Sequence, residues 1–288
     1  MRSGLRKEPT AVARCTCRSD ANSHMSGIGA DSESGGRRPL RSYVTHLLLA
    51  ASFLTIVPVA PGSPASDEDL AASFGLFPLV GFIIGTVLMV EDGALAMLFG
   101  TTIRSGLIVL STVVITGALH LDALADTADA LGAGADRERA LSILRDSNVG
   151  VFGTAAILFW LGLQWAALAA LQGPTRAAAI YLAPGLGRWA MVAVSAGVQY
   201  LRAAGAGSFL QPQWGWFNLR VASVIAIIAI IPVFSSHARA AAAAAIIVAA
   251  AARWFYRRWL GGVTGDLIGA AGAIAELAAM LAMASRLG

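Results

Sequence analysis

Residues 149–171 read VGVFGTAAILFWLGLQWAALAAL, twenty-three positions without a charged side chain. As an α-helix rising 1.5 Å per residue, the run is about 34 Å long. The hydrocarbon core of a bilayer is about 30 Å thick. A barrel strand would alternate lipid-facing and lumen-facing residues every two positions, and no such alternation is present. The stretch predicts a membrane-spanning helix, and the fold class follows from it: all-α, a polytopic membrane helix bundle.

Further apolar runs lie at about 43–60, 70–90, 94–120, 177–200, 220–234, 238–260 and 263–285. Together they predict six to eight helical segments. The runs at 43–60 and 220–234 fall short of the ~20 residues a span needs and are expected to tilt, re-enter or lie at the interface. Pro58, Pro61 and Pro64 break the first hairpin, and Pro78, inside an apolar run, is expected to kink it. Gly81 and Gly85 suit close helix contacts in lipid. The Ala-rich stretch 240–252 offers no polar atoms and reads as a lipid-facing or packing helix.

Composition agrees. The chain is 57% hydrophobic and 13% charged, with mean hydropathy +0.68, where a soluble domain carries about 25% charge. Disordered proteins, nucleic-acid-binding domains with a basic face and nearly all soluble enzymes are excluded. The net charge of +4 sits wholly in residues 1–42, which hold eight basic and four acidic residues. The remaining residues balance at thirteen of each sign. Two regions follow: a basic, Ser/Gly/Arg-rich leader at 1–42, expected to be disordered, and a single integral membrane domain at 43–288. The leader has no apolar stretch of a secretory signal, and its basic excess predicts a cytoplasmic N-terminus. Met25 is a candidate start. Cys15 and Cys17 form a lone C-x-C pair, which reads as two reduced thiols rather than a metal site.

Acid is concentrated in one place. Six of the membrane domain's thirteen acidic residues fall in TGALHLDALADTADALGAGADRERALSILRDSN, residues 116–148. Asp122, Asp126 and Asp129 are spaced i, i+4, i+7, which puts them within about 60° on one helix face. No Lys or Arg stands between His120 and Arg137 to neutralise them. A solvated face usually mixes signs, as Asp136-Arg137-Glu138-Arg139 does. An unmixed, membrane-adjacent triplet instead calls for a cation, and carboxylate oxygens favour Mg²⁺, Mn²⁺ or Ca²⁺. Mg²⁺ takes one or two carboxylates and completes its shell with substrate phosphate, so the face is a candidate diphosphate site.

Other polar residues surround the triplet. His120 either ends a span or stands near enough to orient phosphate or accept a proton. Arg145-Asp146-Ser147 offers a phosphate-binding Arg, a fourth carboxylate and a hydroxyl, or alternatively an interfacial anchor and helix cap. Arg188 lies inside an apolar run, where Arg usually faces a polar cavity. Thr264-Gly265-Asp266 separates two apolar helices beside Gly261 and Gly262, which leave backbone open to a ligand. The candidate metal ligands are Asp122, Asp126, Asp129, Asp146 and Asp266. The candidate substrate-binding residues are Arg145, Ser147, Arg188 and Thr264.

Taken with FLTIVPVAPG (53–62), FPLVGFIIG (77–85), ILRDSNVGVFG (143–153), GRW (187–189) and GGVTGDLIGAAGAIAEL (261–277), the motif TGALHLDALADTADAL (116–131) resembles the adenosylcobinamide-GDP ribazoletransferase (cobalamin synthase) family. The likeness spans about 50–280 and omits the leader. The chain departs from the family pattern at Ile56, where Arg is usual, and at Ala118, Ala123 and Ala130, where Gly is usual. The added methyls are expected to sit harmlessly on a helix.

The resemblance implies a Mg²⁺-dependent enzyme of cobalamin synthesis, multi-pass in the cell membrane with its site on the cytoplasmic side. The hydroxyl of α-ribazole or its 5′-phosphate would attack the phosphate joined to cobinamide in adenosylcobinamide-GDP, and GMP would leave. Asp122, Asp126, Asp129 and His120 would be the catalytic residues. CDP-alcohol phosphotransferases and aromatic prenyltransferases also use Asp-rich helices, but the former carry a Gly-x-x-Ala-Arg insert and the latter two Asp-rich motifs. A transporter would repeat the cluster in its second half, which has only Asp266 and Glu276.

Overall fold

The computed structural model describes residues 38–58, 65–134, 136–145, 148–202 and 212–285. The leader before Arg38 lies outside them. Eleven α-helices occur among the described residues: α1 Arg38–Leu54, α2 Asp67–Phe74, α3 Phe77–Leu95, α4 Thr101–Ile115, α5 Leu119–Gly132, α6 Arg137–Ile143, α7 Val151–Ala170, α8 Gly173–Ser195, α9 Pro212–Ile230, α10 Ser236–Trp259 and α11 Gly265–Ala284. A 3-10 turn, Ile231–Val233, prolongs α9. Six helices are long and apolar enough to span a bilayer: α3, α7, α8, α9 with its 3-10 turn, α10 and α11. The chain therefore fits a multi-pass membrane protein.

The helix count exceeds eight because short helices flank the spans and one run is broken. The run at 220–234 reaches back to Pro212, so α9 is full length. Pro78 opens α3 instead of kinking it, since the chain already breaks between Phe74 and Phe77 and the ring's missing N–H costs nothing in a first turn. Ser66 and Asp69 form a capping box at the start of α2. The Ser66 hydroxyl and then His46 hold the Asp69 carboxyl below its usual value.

Two helices make the centre. In α8, 72% of the span is buried and in α11 67%, against 17% in α9 and 22% in α10. The outer helices therefore turn most of their apolar surface to lipid. In α10 only Ala238, Ala241, Ala245, Ala249 and Tyr256 are buried, so the Ala-rich stretch both packs and faces lipid. The α3–α8 contact depends on missing side chains: a Cβ on Gly81 would lie 2.6 Å from the Pro184 carbonyl oxygen, and one on Gly85 2.3 Å from that of Tyr181. The small-residue reading of the sequence holds here.

A buried ion network ties the end of the bundle where α3 stops and α4 and α8 begin. Arg176 Nε and Nη2 donate to the two Asp92 oxygens at 2.9 and 2.6 Å. Its Nη1 donates to Ser105 Oγ at 2.9 Å and the Leu168 carbonyl at 2.5 Å. Arg104 approaches Asp92 at 3.6 Å. Arg176 is 2% exposed, so its charge is held by protein oxygens alone.

The apolar run expected to continue into the Asp-rich stretch bends by 87° between α4 and α5. Gly117 and Ala118 make the corner at φ +58° and +57°. The expectation for the family glycines thus needs correction at one position. Ala123 and Ala130 do add methyls to a helix, both buried. Ala118 instead occupies the left-handed region, where an L side chain costs about 1–2 kcal/mol. Beyond the corner, α5 packs against α11 and α7.

Candidate functional site

The bend decides which way α5 faces. His120, Ala123, Leu124, Thr127 and Ala130 are buried, while Asp122 is exposed and Asp126 and Asp129 are half-buried. Ala123 fits over Gly269 of α11, where a second methyl would come to 2.7 Å. Thr127 donates to the Asp266 carbonyl at 3.5 Å. These contacts seat the apolar side of α5 on the first turns of α11 and leave the Asp face open.

The three aspartates differ in their surroundings. Asp129 is engaged by α7: the Gly150 amide donates to its Oδ2 at 2.6 Å and the Gly153 amide to its Oδ1 at 2.8 Å. It thus caps a helix N-terminus, where backbone N–H groups and the helix dipole favour an anion. A Cβ on Gly150 would lie 2.5 Å from the carboxylate, and one on Gly153 2.3 Å. The glycines of RDSNVGVFG are therefore the imprint of Asp129, a role that sequence reasoning missed. The spacing of two glycines directly before an apolar run, with a distant unpaired Asp, was the available signal. Asp122 and Asp126 make no hydrogen bond among the described residues. The charges of Asp122, Asp266, Asp129 and Arg202 all act on Asp126.

Asp266 joins this group from the N-terminus of α11. Residues 199–201 and 263 form a short backbone seam, with Val263 N to Gln199 O at 3.0 Å and Leu201 N to Val263 O at 2.9 Å. Gly262 permits it, since a Cβ there would lie 2.4 Å from the Gln199 oxygen. The seam delivers Arg202, whose Nη2 donates to Asp266 Oδ2 at 2.5 Å. Sequence reading passed over Arg202 because nothing local distinguishes it from other loop arginines. Thr264 is fully buried. It caps α11 by accepting from Leu267 N at 3.3 Å, and its hydroxyl lies 3.4 Å from Asp266 Oδ2. It thus orients the carboxylate from behind.

Two expected residues face elsewhere. Arg188 is 1% exposed and donates to Glu276 and, at 3.3 Å, to the Pro184 carbonyl. At 1.5 Å per residue the pair lies about 10 Å in from the Ser195 end of α8 and about 16 Å in from the start of α11. His120, 6% exposed, is on the same interior side, and neither ring nitrogen meets a partner among the described residues. Arg145 is exposed at the end of α6, while Asp146 and Ser147 lie outside the described residues. The structure thus gathers Asp122, Asp126, Asp129 and Asp266 at one end of the bundle, with Thr264 behind them. It sets Arg188 and His120 apart in the interior. Among the described residues no three carboxylate or imidazole groups converge as a ready-made metal cage.

Comparison with known proteins covers this whole arrangement. A protein-family model described as cobalamin-5-phosphate synthase matches residues 46–284, from α1 to the end of α11. A curated relative from Alkalilimnicola ehrlichii is 41% identical over 83% of this chain and 95% of its own. One from Roseiflexus sp. is 36% identical over 80% and 86%, and one from Syntrophobacter fumaroxidans 36% over 83% and 98%. All three are named adenosylcobinamide-GDP ribazoletransferase. No solved structure matches. With the match running through every helix that builds the acidic face, the chain belongs to the cobalamin-5-phosphate synthase family.

Proposed function

We propose that this protein joins adenosylcobinamide-GDP to α-ribazole, or to its 5′-phosphate, and releases GMP. The observation that carries the reading is the pair Asp122 and Asp126. They are two carboxylates on the open face of α5 that meet no hydrogen-bond or ion-pair partner among the described residues. Mg²⁺ fits this donor set, because it is all oxygen, and because Mg²⁺ needs only one or two carboxylates before water and phosphate complete its shell. Asp122 and Asp126 would hold it, with Asp266 and Asp146 as further oxygen donors and Asp129 fixing the helix that carries the first two. Bound there, the ion would neutralise the diphosphate and stabilise the GMP leaving group.

The chain's own residues do the rest. The acceptor hydroxyl attacks the phosphorus joined to cobinamide as the bond to the GMP oxygen breaks, so one P–O bond forms and one is lost. The hydroxyl proton passes to a carboxylate oxygen of the α5 face. His120 lies on the opposite side of that helix, so its proposed part is to seat the start of α5 rather than to take this proton. Arg145, exposed just past α6, would offer its guanidinium to phosphate. Arg188 holds α8 to α11 through Glu276 inside the bundle. The proposed location is the cell membrane, with the acidic face on the cytoplasmic side.

The test is GMP release by detergent-purified protein given adenosylcobinamide-GDP and α-ribazole, with and without Mg²⁺. Metal-dependent GMP release and a cobalamin product are expected. Asp126→Asn should reduce turnover by roughly 10² or more while leaving the melting temperature within a degree or two, since the residue has no hydrogen-bond partner among the described residues to lose. Wild-type turnover in that variant would remove Asp126 from the mechanism.

A further inference from the structure

Arg202 is bound to protein in a way that leaves most of it unused. One nitrogen, Nη2, donates both to Asp266 Oδ2 and to the Leu144 carbonyl, each at 2.5 Å. Nη1 and Nε make no hydrogen bond among the described residues. A guanidinium carries five donors in a planar fork that matches carboxylate or phosphate oxygens two at a time. Contrast Arg176, whose three nitrogens are all engaged by four oxygens, and which is 2% exposed. The Arg202 and Asp266 side chains are 24% and 21% exposed, so this pair borders solvent. It also borders α5, because the Thr127 hydroxyl, next in the chain to Asp126, donates to the Asp266 carbonyl at 3.5 Å.

A cation already sits on one of the four clustered carboxylates. We infer that Arg202 is a displaceable internal cation. It neutralises Asp266 in the ligand-free site, and gives up that carboxylate to turn its fork onto the diphosphate when donor and divalent ion enter together. The ligand class is a nucleoside diphosphate ester, recognised through its phosphate oxygens. The exchange conserves charge: the divalent ion replaces Arg202 at Asp266 while Arg202 meets oxygens that the ion alone does not neutralise. The Leu144 carbonyl, at the end of α6, keeps the guanidinium aimed at the cluster throughout. The inference rests on the metal-and-diphosphate reading above and adds to it the residue that couples the two ligands.

The consequence is a pair of effects with opposite sign. With Arg202 removed, Asp266 is freed, and the free protein should bind a divalent ion more tightly. The same change should weaken binding of the donor. A residue that merely holds 199–202 to α11 would weaken both. The experiment is Mn²⁺ titration by electron paramagnetic resonance on full-length protein in detergent, alone and with adenosylcobinamide-GDP but no acceptor, for wild type, Arg202→Met and Arg202→Lys. In Arg202→Met, Mn²⁺ affinity without donor should rise about threefold or more, and donor affinity should fall about tenfold or more. Arg202→Lys, which keeps the charge without the fork, should restore the Mn²⁺ affinity towards wild type and recover only part of the donor affinity. Unchanged or weaker Mn²⁺ binding in Arg202→Met overturns the exchange, as does unchanged donor affinity. The wild-type arm separates the two levels. If wild type binds no Mn²⁺ even with donor, the metal reading itself fails and the exchange falls with it.

Discussion

Gly153→Ala tests the claim that Asp129 positions the acidic helix. The added Cβ would start 2.3 Å from Asp129 Oδ2, 3.0 Å from the Ala125 carbonyl oxygen and 3.1 Å from the Ala125 Cβ. Comfortable carbon–oxygen contact begins at about 3.3 Å, so the carboxylate must retreat by about 1 Å. The 2.8 Å bond from the Gly153 amide then passes hydrogen-bonding range. A hydrogen bond to a charged group contributes about 1.5–3 kcal/mol, and Ala regains up to about 1 kcal/mol of helix propensity. The net expected loss is about 1–2 kcal/mol. The move also shifts α5, and a displacement of about 1 Å at a reacting group can cost about 10²-fold in rate. Thermal unfolding in detergent and GMP release would be measured together, in a cycle with Asp129→Ala. Once the carboxylate is gone the tightest clash is gone and only the 3.0 and 3.1 Å contacts with Ala125 remain, so Gly153→Ala should cost distinctly less. A coupling energy of about 1 kcal/mol is expected. If Gly153→Ala costs the same with and without Asp129, the packing argument is wrong.

Ala118→Gly removes the only positive-φ side chain among the described non-glycine residues. It should stabilise the protein by about 1 kcal/mol, a rise of roughly 2–4 °C in melting temperature for a domain this size; a fall would refute the strained corner. Arg176→Leu removes both short hydrogen bonds to Asp92 and leaves it only Arg104 at 3.6 Å, so it should cost about 3 kcal/mol. Adding Asp92→Leu should recover most of that loss, measured as recovered folded yield and melting temperature, and a double variant no better than the single would refute it.

Some of this was legible in the sequence and some could not be. Membrane helices announce themselves because lipid selects every residue on their surface, as in 149–171. The Asp face was legible because 122, 126 and 129 fall on one side of any helix that contains them. The bend was not, since Gly117 followed by Ala118 gives no turn signature and the apolar run continues past it. The direction His120 takes depends on that bend, so its place in the interior was beyond reach. Pairings at long range were hidden for a different reason. Arg188 and Glu276 are 88 residues apart, and Arg202 and Asp266 are 64 apart. Only the packing of α8 on α11 and the seam at 263 bring them together. Asp129 was picked for its charge, while its geometry lay in the two glycines 21 and 24 residues on.

Charge pairing separates structure from function in this chain more cleanly than position does. An ionised group in or near lipid is expensive unless its charge and hydrogen-bonding capacity are met. At the end where α3 stops, Asp92 meets Arg176, with Arg104 nearby. At mid-bundle, Glu276 meets Arg188. Both pairs lie between helices, and they register α3 on α8 and α8 on α11. At the remaining end the pattern stops. Asp129 is met only by backbone amides, Asp266 by one nitrogen of an arginine, and Asp122 and Asp126 by no described group. A chain that could place a matching arginine beside Asp92 and Glu276 could have placed one beside Asp126. That it leaves this face short of positive charge is intelligible if the missing charge arrives with the substrate. The same deficit that destabilises the empty site would then favour binding metal and diphosphate together over either alone.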